Sequence, residues 1–515
     1  MIGNNSREKM HIKKTLKFLL ISLFISQPVK SDISINEFIS NEQKNISKRE
    51  ITLLKKNIDD QKQNIKVIDI HNLKDLLIQN NKDLKILESQ IDQYYSILKS
   101  KNASWYPRLN LNSNKSPQYL IGSDKSSLSE DASSEKLILG IDANFEWDII
   151  KPKRKLEIQI AREKLENSKL LFKSKLKDLY LEVLKTYYRI QAGFEEIKVA
   201  EKSLDISKIT LQEAKTKLDS GIGNKLEVLE AQTQLDRDQI KLVKKLGELK
   251  KNKNSLSKIL NIKSKINIKE ENAKEINWLW EYNLEKSLEE AIKNRYDLKI
   301  KKKIIAINNN ESLVVLSEKK PRFSLYNKYS VSNSRGESGV SSPNYKNKTD
   351  SYSNSVGINF SWNIFDGGLI KQNYLSLQEK NIELKEDYLL NKSLIKKQLL
   401  DTFINLEIAK KNIIFSYEQL NSSKETLEIS LKRMEAGLTT QREIVNIQGD
   451  LSESEKNFIN SITEYNISIA ELERITSLNK SGICEIEPQQ VKSQNDNFYK
   501  FLIDKKLYSE CPKST

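Results

Sequence analysis

Residue types that carry catalysis or bind metal ions are scarce in this chain. Its only histidines are His11 and His71, and His11 lies in a predicted export signal. Multi-histidine metal sites are therefore excluded, and a histidine-based catalytic triad would rest on His71 alone. Gly367 and Gly368 follow a predicted strand but lack the lysine and the spacing of a phosphate-binding loop. We expect a protein that is not an enzyme and that has no cofactor and no metal site.

The two cysteines, Cys484 and Cys511, both lie near the C-terminus. In an exported protein they would meet an oxidising compartment, where cysteines form disulfides. They are a candidate disulfide, and the sequence leaves open whether they pair.

The N-terminus has the features of an export signal. Basic side chains precede a short apolar run at residues 18–25, and Ser31 follows as a candidate cleavage point. The run is too short to span a membrane as a helix. The sequence predicts a signal peptide, which starts at either Met1 or Met10. No cysteine lies near its end, so we expect no lipid anchor attached there.

The composition favours long solvated helices over a compact globule. Of 515 residues, 37% are hydrophobic and 30% are charged, and the net charge is +16. Such a charge raises the question of nucleic-acid binding. The lysines, however, are spread along the chain among glutamates, and no basic block alternates with stacking aromatic residues. We therefore expect no nucleic-acid partner.

The chain carries the same order of features twice. Asp83 recurs as Asp297 after 214 residues, and Gly221 recurs as Gly437 after 216 residues. The spacing between equivalent residues changes by only two, which indicates the duplication of one long unit. The predicted segments are a signal peptide at 1–31, an N-terminal extension at 32–70, a first repeat at 71–281, a second repeat at 282–479 and a C-terminal tail at 480–515. The sequence assigns no role to the extension or the tail.

Each repeat contains a pair of amphipathic strands. Apolar and polar side chains alternate over residues 137–147 and after Pro107 in the first repeat, and over residues 355–364 and after Pro321 in the second. This pattern is typical of strands that cross a membrane with one face in lipid. No segment of the mature chain has about 20 apolar residues in a row, so we expect no transmembrane helix.

Serine-rich stretches at residues 113–136 and 333–351 are predicted as the loops that join the strands of each pair. Four strands are too few to close a membrane barrel, which needs about eight, so the chain would share a barrel with copies of itself. The predicted aromatic girdle at the membrane boundary consists of Trp147, Trp362, Phe365 and Tyr329. A soluble sheet with one buried face is the alternative.

The rest of each repeat is predicted as helix with a seven-residue period. Large apolar residues recur every seven positions over residues 183–218 and 399–434, and small residues hold the other seam position. This pattern predicts coiled-coil packing. A helix over about residues 152–220 would run about 100 Å. Two shorter helices, at about 73–104 and 222–262, would together have the same length if they stack end to end.

The layout resembles the TolC-like outer-membrane efflux proteins over most of the mature chain. The resemblance rests on the strand end at residues 360–368, the turns around Gly221 and Gly437, and the helix starts at residues 227–232 and 443–448. It implies a mainly α fold with a small β part. A homotrimer would share a 12-stranded outer-membrane barrel, with four strands from each chain, continued by a long coiled-coil α-helical barrel through the periplasm.

The resemblance also implies roles for residues at the helical turns. Contacts with a periplasmic adaptor would involve Gly221, Ile222, Gly437 and Leu438, although glycine ends helices in any fold. The family places two acids, three residues apart, just past the second turn, where three chains form a cation-binding constriction. Here these positions are Glu443 and Asn446, so one acid is lost. Glu227 and Glu230 hold the equivalent positions in the first repeat, where a solvated helix face is the simpler interpretation.

The predicted function is a passive exit duct in a tripartite efflux or type I secretion system. Its expected partners are copies of itself, a periplasmic adaptor (membrane fusion) protein, an inner-membrane ABC or RND transporter and outer-membrane lipid. The duct would close at Glu443 and open by untwisting of its inner helices. The alternative is a periplasmic coiled-coil adaptor or scaffold without a pore, which would usually have one hairpin rather than two. The sequence does not reveal the cargo, which could be a drug, a protein, a metal ion or a polysaccharide.

Overall fold

The computed structural model describes residues 66–113, 117–124, 132–262, 266–268, 274–276, 278–339, 345–478, 481–482 and 497–507. The predicted export signal and both cysteines of the candidate disulfide lie outside these residues. Strand β1 (Lys66–Ile68) lies in the predicted N-terminal extension. The first repeat contains, in chain order, α1 (Leu73–Asn80), α2 (Lys82–Asn102), β2 (Arg108–Asn112), β3 (Gln118–Asp124), β4 (Ala132–Ile150), α3 (Arg154–Asp219), α4 (Lys225–Leu260), β5 (Ile266–Ile268) and β6 (Trp278–Leu279).

The second repeat has the same order of helices, with one continuous strand where the first repeat has β2 and β3. Its elements are α5 (Leu284–Asn294), α6 (Tyr296–Ser317), β7 (Arg322–Gly339), β8 (Tyr345–Ser361), α7 (Leu369–Glu435) and α8 (Gln441–Thr476). Strand β9 (Ser481–Gly482) and helix α9 (Asn497–Lys505) lie in the C-terminal tail.

The two longest helices are α3 and α7. They have 66 and 67 residues, which corresponds to about 100 Å each. Most of the predicted seam residues are buried, including Val183 and Ile190 on α3 and Leu399 and Ile413 on α7. Those nearest the tips, such as Leu218 and Met434, are half-buried. The prediction of a mainly helical coiled-coil fold with a small β part is therefore confirmed.

The shorter helices of each repeat meet end to end beside the long helix. The Asn81 side chain at the start of α2 donates to the carbonyl of Ile259 near the end of α4, at 2.7 Å. The Asn261 side chain donates in return to the carbonyl of Asn80, at 3.2 Å. In the second repeat, Arg474 near the end of α8 contacts Asp297 at the start of α6. Each repeat thus contains one continuous and one composite rod.

Helix α3 packs against α4 on one side and α8 on the other, while α8 packs against α7. The two hairpins, α3–α4 and α7–α8, therefore lie side by side in the order α4, α3, α8, α7. Polar contacts join them along α3 and α8: the hydroxyls of Ser203 and Ser452 are 2.6 Å apart, and Lys185 pairs with Glu471 at 2.5 Å. A buried apolar cluster surrounds each hairpin, and the cluster of the first hairpin also includes Ile467 and Ala470 of α8.

Strands β2, β3, β4, β7 and β8 form one antiparallel sheet. Strands β2 and β3 pair with the same edge of β4, which pairs with β7, which pairs with β8. The loop predictions at residues 113–136 and 333–351 are largely wrong, because β3, the start of β4, the end of β7 and the start of β8 occupy them. Serine and asparagine are weak strand formers alone, but pairing with a neighbouring strand keeps them extended, and sequence cannot show that pairing.

The two faces of this sheet differ in character. Apolar side chains such as Ile141, Val356 and Ile358 lie on one face, where Val356 is 65% exposed and Ile358 68% exposed. The other face carries charged side chains, and Arg322 bridges Glu146 and Asp148 on it. The soluble-sheet alternative required a buried apolar face. In this chain that face is exposed.

Small strands and α9 give a structural role to parts of the extension and the tail. Strand β1 pairs with β5, and β6 pairs with β9. On α9, Phe498 packs against Tyr465 and Phe501 against Tyr417, with ring centroids 5.5 Å apart in both pairs. These contacts attach the described tail residues to the second hairpin.

Candidate functional site at the hairpin tips

Both hairpins end in the same type of turn. The N–H of Gly221 donates to the carbonyl of Leu218 at 3.0 Å, and the N–H of Ile222 donates to that of Lys217 at 3.0 Å. Gly437 and Leu438 make the same pair of bonds in the second hairpin, at 2.9 and 2.8 Å. These bonds define a Schellman motif, in which the glycine adopts a positive φ, here 76° and 70°. The two glycines therefore end their helices without strain.

Each turn also presents an apolar side chain to solvent. Ile222 is 85% exposed and Leu438 is 69% exposed. Both directly follow the turn glycine. Each tip therefore exposes one large apolar side chain that has little packing within the chain.

The return helices start with different polar caps. The Asn224 side chain accepts from the N–H of Leu226 at 3.0 Å at the start of α4. At the start of α8, the Thr440 hydroxyl accepts from the N–H of Glu443 at 3.3 Å, and Thr439 donates to the Glu443 carboxylate. Glu443 is therefore held within its own turn.

Three of the four predicted constriction residues lie in one groove. Glu227, Glu230 and Asn446 line a space of about 710 Å³ between the starts of α4 and α8. Glu443 does not line it, because its side chain is turned toward Thr439. Within a single chain, Glu443 of the second turn is therefore separated from Glu227 and Glu230 of the first turn.

An arginine that the sequence analysis did not single out joins the two hairpins. Arg442 forms an ion pair with Glu230, and it lies in the same groove. At the 216-residue spacing its counterpart in the first repeat is Leu226, so a comparison of the repeats reveals the change. Its partner could not be found from sequence, since that pairing depends on how the hairpins pack.

The predicted girdle residues do not all lie at one level. The Trp147 indole N–H donates to the carbonyl of Trp105 at 3.0 Å, and that of Trp362 donates to the carbonyl of Lys319 at 2.9 Å. Both tryptophans therefore lie where the sheet meets the helices. Phe365 follows Trp362 closely and is 88% exposed. Tyr329 lies four residues beyond Leu325, which pairs with Trp147, or about 13 Å along the strand.

The described residues contain no cluster of three or more His, Cys, Asp or Glu side chains that could hold a metal ion. None of their helices combines the length and apolar character needed to cross a membrane.

Comparison with known protein families decides the class of the molecule. The model of the outer membrane efflux protein family matches residues 73–261 and 288–477, which is more than half of the chain. The chain belongs to this family. The resemblance inferred from the repeats is confirmed. Because the family consists of channels, the protein is an efflux channel of the outer membrane and not an enzyme.

Solved structures of outer-membrane channels share the fold. The CmeC channel of Campylobacter jejuni is 15% identical, with a TM-score of 0.60, and the match covers 85% of this chain and 90% of CmeC. The open-state MtrE channel of Neisseria gonorrhoeae is 14% identical, with a TM-score of 0.60 and coverage of 79% and 88%. VceC, an outer membrane protein of Vibrio cholerae, is 12% identical, with a TM-score of 0.59 and coverage of 79% and 95%. No curated protein sequence matches the chain.

Proposed function

We propose that three copies of this chain form a continuous exit duct, which receives cargo from an inner-membrane ABC or RND transporter through a periplasmic adaptor. The main support is the sheet. Its apolar face is exposed, and within the described residues the outer edges of β8 and of β2–β3 pair with no other strand. Open edges of this kind favour pairing with another chain.

The strand directions allow such pairing. All neighbouring strands are antiparallel, so the four strand positions alternate in direction. Strand β8 of one copy would therefore meet β2 of the next in antiparallel orientation. Three copies would give 12 strands, which is within the range of membrane barrels.

The helices support the same assembly. Helices α4 and α7 lie at the two ends of the row of four, and both expose apolar side chains. Ile240 on α4 is 70% exposed, and Ile404 on α7 is 58% exposed. Contact between α7 of one copy and α4 of the next would bury such residues. Twelve helices in one ring would then continue the barrel.

Within this duct, the tips take two roles. Ile222 and Leu438, with their preceding glycines, form the adaptor contact. Glu443 and Asn446 form the constriction of the mouth, which opens when the inner helices untwist. Glu227 and Glu230 lie beside it, and the Arg442–Glu230 ion pair ties the two hairpins together in the closed state.

Planar bilayer recording tests the duct. We expect the purified protein to run as a heat-resistant trimer and to give stepwise conductance. A soluble periplasmic monomer that gives no conductance would contradict the proposal and favour the scaffold alternative.

Block by divalent cations tests the mouth. We expect Glu443→Gln to weaken block from the tip side by about fivefold, which is the size of one modest ion-pairing interaction. Glu227→Gln is the matched control, because it removes the same charge from the first turn. Equal effects of the two variants would remove the special role of Glu443.

A further inference from the structure

Exposed apolar residues on α7 and α4 have buried counterparts where the two hairpins of the chain meet. There, Ala192 and Val199 of α3 pack with Ile459 of α8 in a small cluster of buried residues. The counterparts of these three residues, at the 216-residue spacing, are Ile408, Phe415 and Val243. Phe415 is 64% exposed, Ile408 50% and Val243 39%. The same cluster is therefore closed between α3 and α8 and open on α7 and α4.

Equivalent residues also occupy equivalent places in the two hairpins. Across the first hairpin, the Ser207 hydroxyl donates to the carboxylate of Asp238. Across the second, the hydroxyls of Ser423 and Ser454, which hold the same two positions, are 2.9 Å apart. The 216-residue relation therefore holds for contacts between helices and not only for the order of elements.

The row of helices places the two open parts of the cluster at its two ends. In the order α4, α3, α8, α7, the long helix α3 meets the return helix α8 at the centre. In the duct proposed above, on which this inference rests, the long helix α7 of one copy meets the return helix α4 of the next. Both contacts therefore join a long helix to an antiparallel return helix. We call α3–α8 the in-chain seam and α7–α4 the between-copy seam.

The polar contacts of the in-chain seam have compatible counterparts. Two contacts, Ser203–Ser452 and Lys185–Glu471, join α3 to α8. At the same spacing, their counterparts are Gln419 with Asp236 and Asp401 with Ser255. In each pair an amide or a hydroxyl can donate to a carboxylate, and all four side chains are exposed in the single chain. Neither pair places two like charges together.

Residue sizes are also matched across the between-copy seam. The two polar contacts set the register of the in-chain seam and bring Ala192 level with Thr463, which is 8% exposed. The counterparts of these two residues are Ile408 and Gly247, so a larger residue on α7 faces a smaller one on α4. A Cβ atom at Gly247 meets nothing within 4 Å in the single chain. Glycine weakens a helix interior, and its presence is explained if a neighbouring copy fills this space.

We propose that α7 of one copy packs on α4 of the next in the register of the in-chain seam. Phe415 and Ile408 of one copy enclose Val243 of the next, and Ile408 fills the space at Gly247. The contact buries apolar surface that a single chain leaves in water. It is the surface by which copies of this chain recognise each other.

Crosslinking of paired cysteines tests the register in the full chain in detergent. All variants carry Cys484→Ser and Cys511→Ser, which remove the two native cysteines. The variant with both Phe415→Cys and Val243→Cys is treated with a short bifunctional thiol reagent. We expect links between copies, so that denaturing gels show dimers and trimers.

Two matched pairs control this experiment. Val199→Cys with Ile459→Cys is the equivalent pair of the in-chain seam, and it should link within one chain without forming dimers. Phe415→Cys with Lys250→Cys moves the second position by about 10 Å along α4 and should link far less. A heat-resistant trimer that links only through the shifted pair, or through neither pair, would overturn the proposal and leave the duct intact. A protein that stays monomeric would overturn the duct and the between-copy seam together.

An exchange of residue sizes tests the same seam without crosslinking. Gly247→Thr fills the space that Ile408 needs, although a single chain has room for the added side chain. We expect the fraction of trimer that survives heating to fall about threefold or more, because overpacked contacts are destabilising. The double variant Gly247→Thr with Ile408→Ala recreates the residue types of Thr463 and Ala192, and it should recover the trimer. Equal heat resistance of the original and Gly247→Thr proteins, or no recovery in the double variant, would contradict this seam.

Discussion

The two hairpins have the same turns but are held in place differently. Near the tip of the first, Leu204, Leu211 and Ala214 are buried, because α3 lies between α4 and α8. The corresponding part of α7 lies at the edge of the row, and Leu427, the counterpart of Leu211, is half-buried. Serine pairs hold this part of the second hairpin, such as Ser423 and Ser454 at 2.9 Å.

This difference indicates which hairpin can move. Local opening costs least where few apolar side chains are buried. Within a single chain, we therefore expect the tip of the second hairpin to need less free energy to leave its place than the tip of the first. The duplication supplied two similar hairpins, and their positions in the row made one a support and the other a candidate gate.

Matched core truncations should show the largest effect. Leu211→Ala removes a side chain that is 7% exposed, and we expect a loss of about 3 kcal/mol in the free energy of unfolding. Leu427→Ala removes a half-buried side chain, and we expect a loss of about 1 kcal/mol. Denaturant titration followed by circular dichroism measures both. Equal losses would remove the contrast in packing between the hairpins.

The second comparison concerns an aspartate that occurs at the same place in both repeats. Asp297 bonds to Arg295 at 2.8 Å and to Ser174 at 2.7 Å, and it contacts Arg474. Asp83 is more exposed and contacts Lys175 at 3.7 Å. We expect Asp297→Asn to cost about 2 kcal/mol, because it leaves buried arginine groups without a full partner. Asp83→Asn should cost less than about 0.5 kcal/mol.

The same aspartate predicts a dependence on pH. Burial by itself would raise the pKa of Asp297, but hydrogen bonds from Arg295 and Ser174 and the charge of Arg474 outweigh it and lower the pKa. The stabilisation is therefore complete above the ordinary aspartate pKa, about 3.9, and is lost as the pH falls through the lowered value. The Asp297→Asn protein should lose less stability than the original between pH 5 and that value. An unchanged acid profile would contradict this assignment.

The smallest expected effect concerns the ion pair between the hairpins. Arg442 is 70% exposed in its side chain, so its pair with Glu230 contributes at most about 1 kcal/mol. Arg442→Glu places two acids together and should raise the open probability of the channel by about fivefold. In the double variant with both Glu230→Arg and Arg442→Glu, the open probability should return toward that of the original channel. A double variant as open as the single variant would show that the pair does not hold the tip.

Part of this molecule could be predicted because its signals are local. The turn at Gly437 follows from a glycine after a long heptad pattern, and the helix bounds at Arg154 and Asp219 lie within two residues of the predicted ones. The long strands β4 and β7 were underestimated, because their serine-rich halves are extended only through pairing with each other. Arg442 was missed for a similar reason, since its partner lies 212 residues away.

The sequence by itself determined the duplication, the seven-residue seams, the alternating strands and the family, because each depends on residue type and spacing along one chain. Only the tertiary structure decided the order α4, α3, α8, α7, the separation of Glu443 from Glu227 and Glu230, and the pairing of Arg442 with Glu230. These features depend on contacts between side chains far apart in sequence. Heptad patterns specify that helices pack, but which helices become neighbours is decided by the sum of many weak contacts across the whole fold.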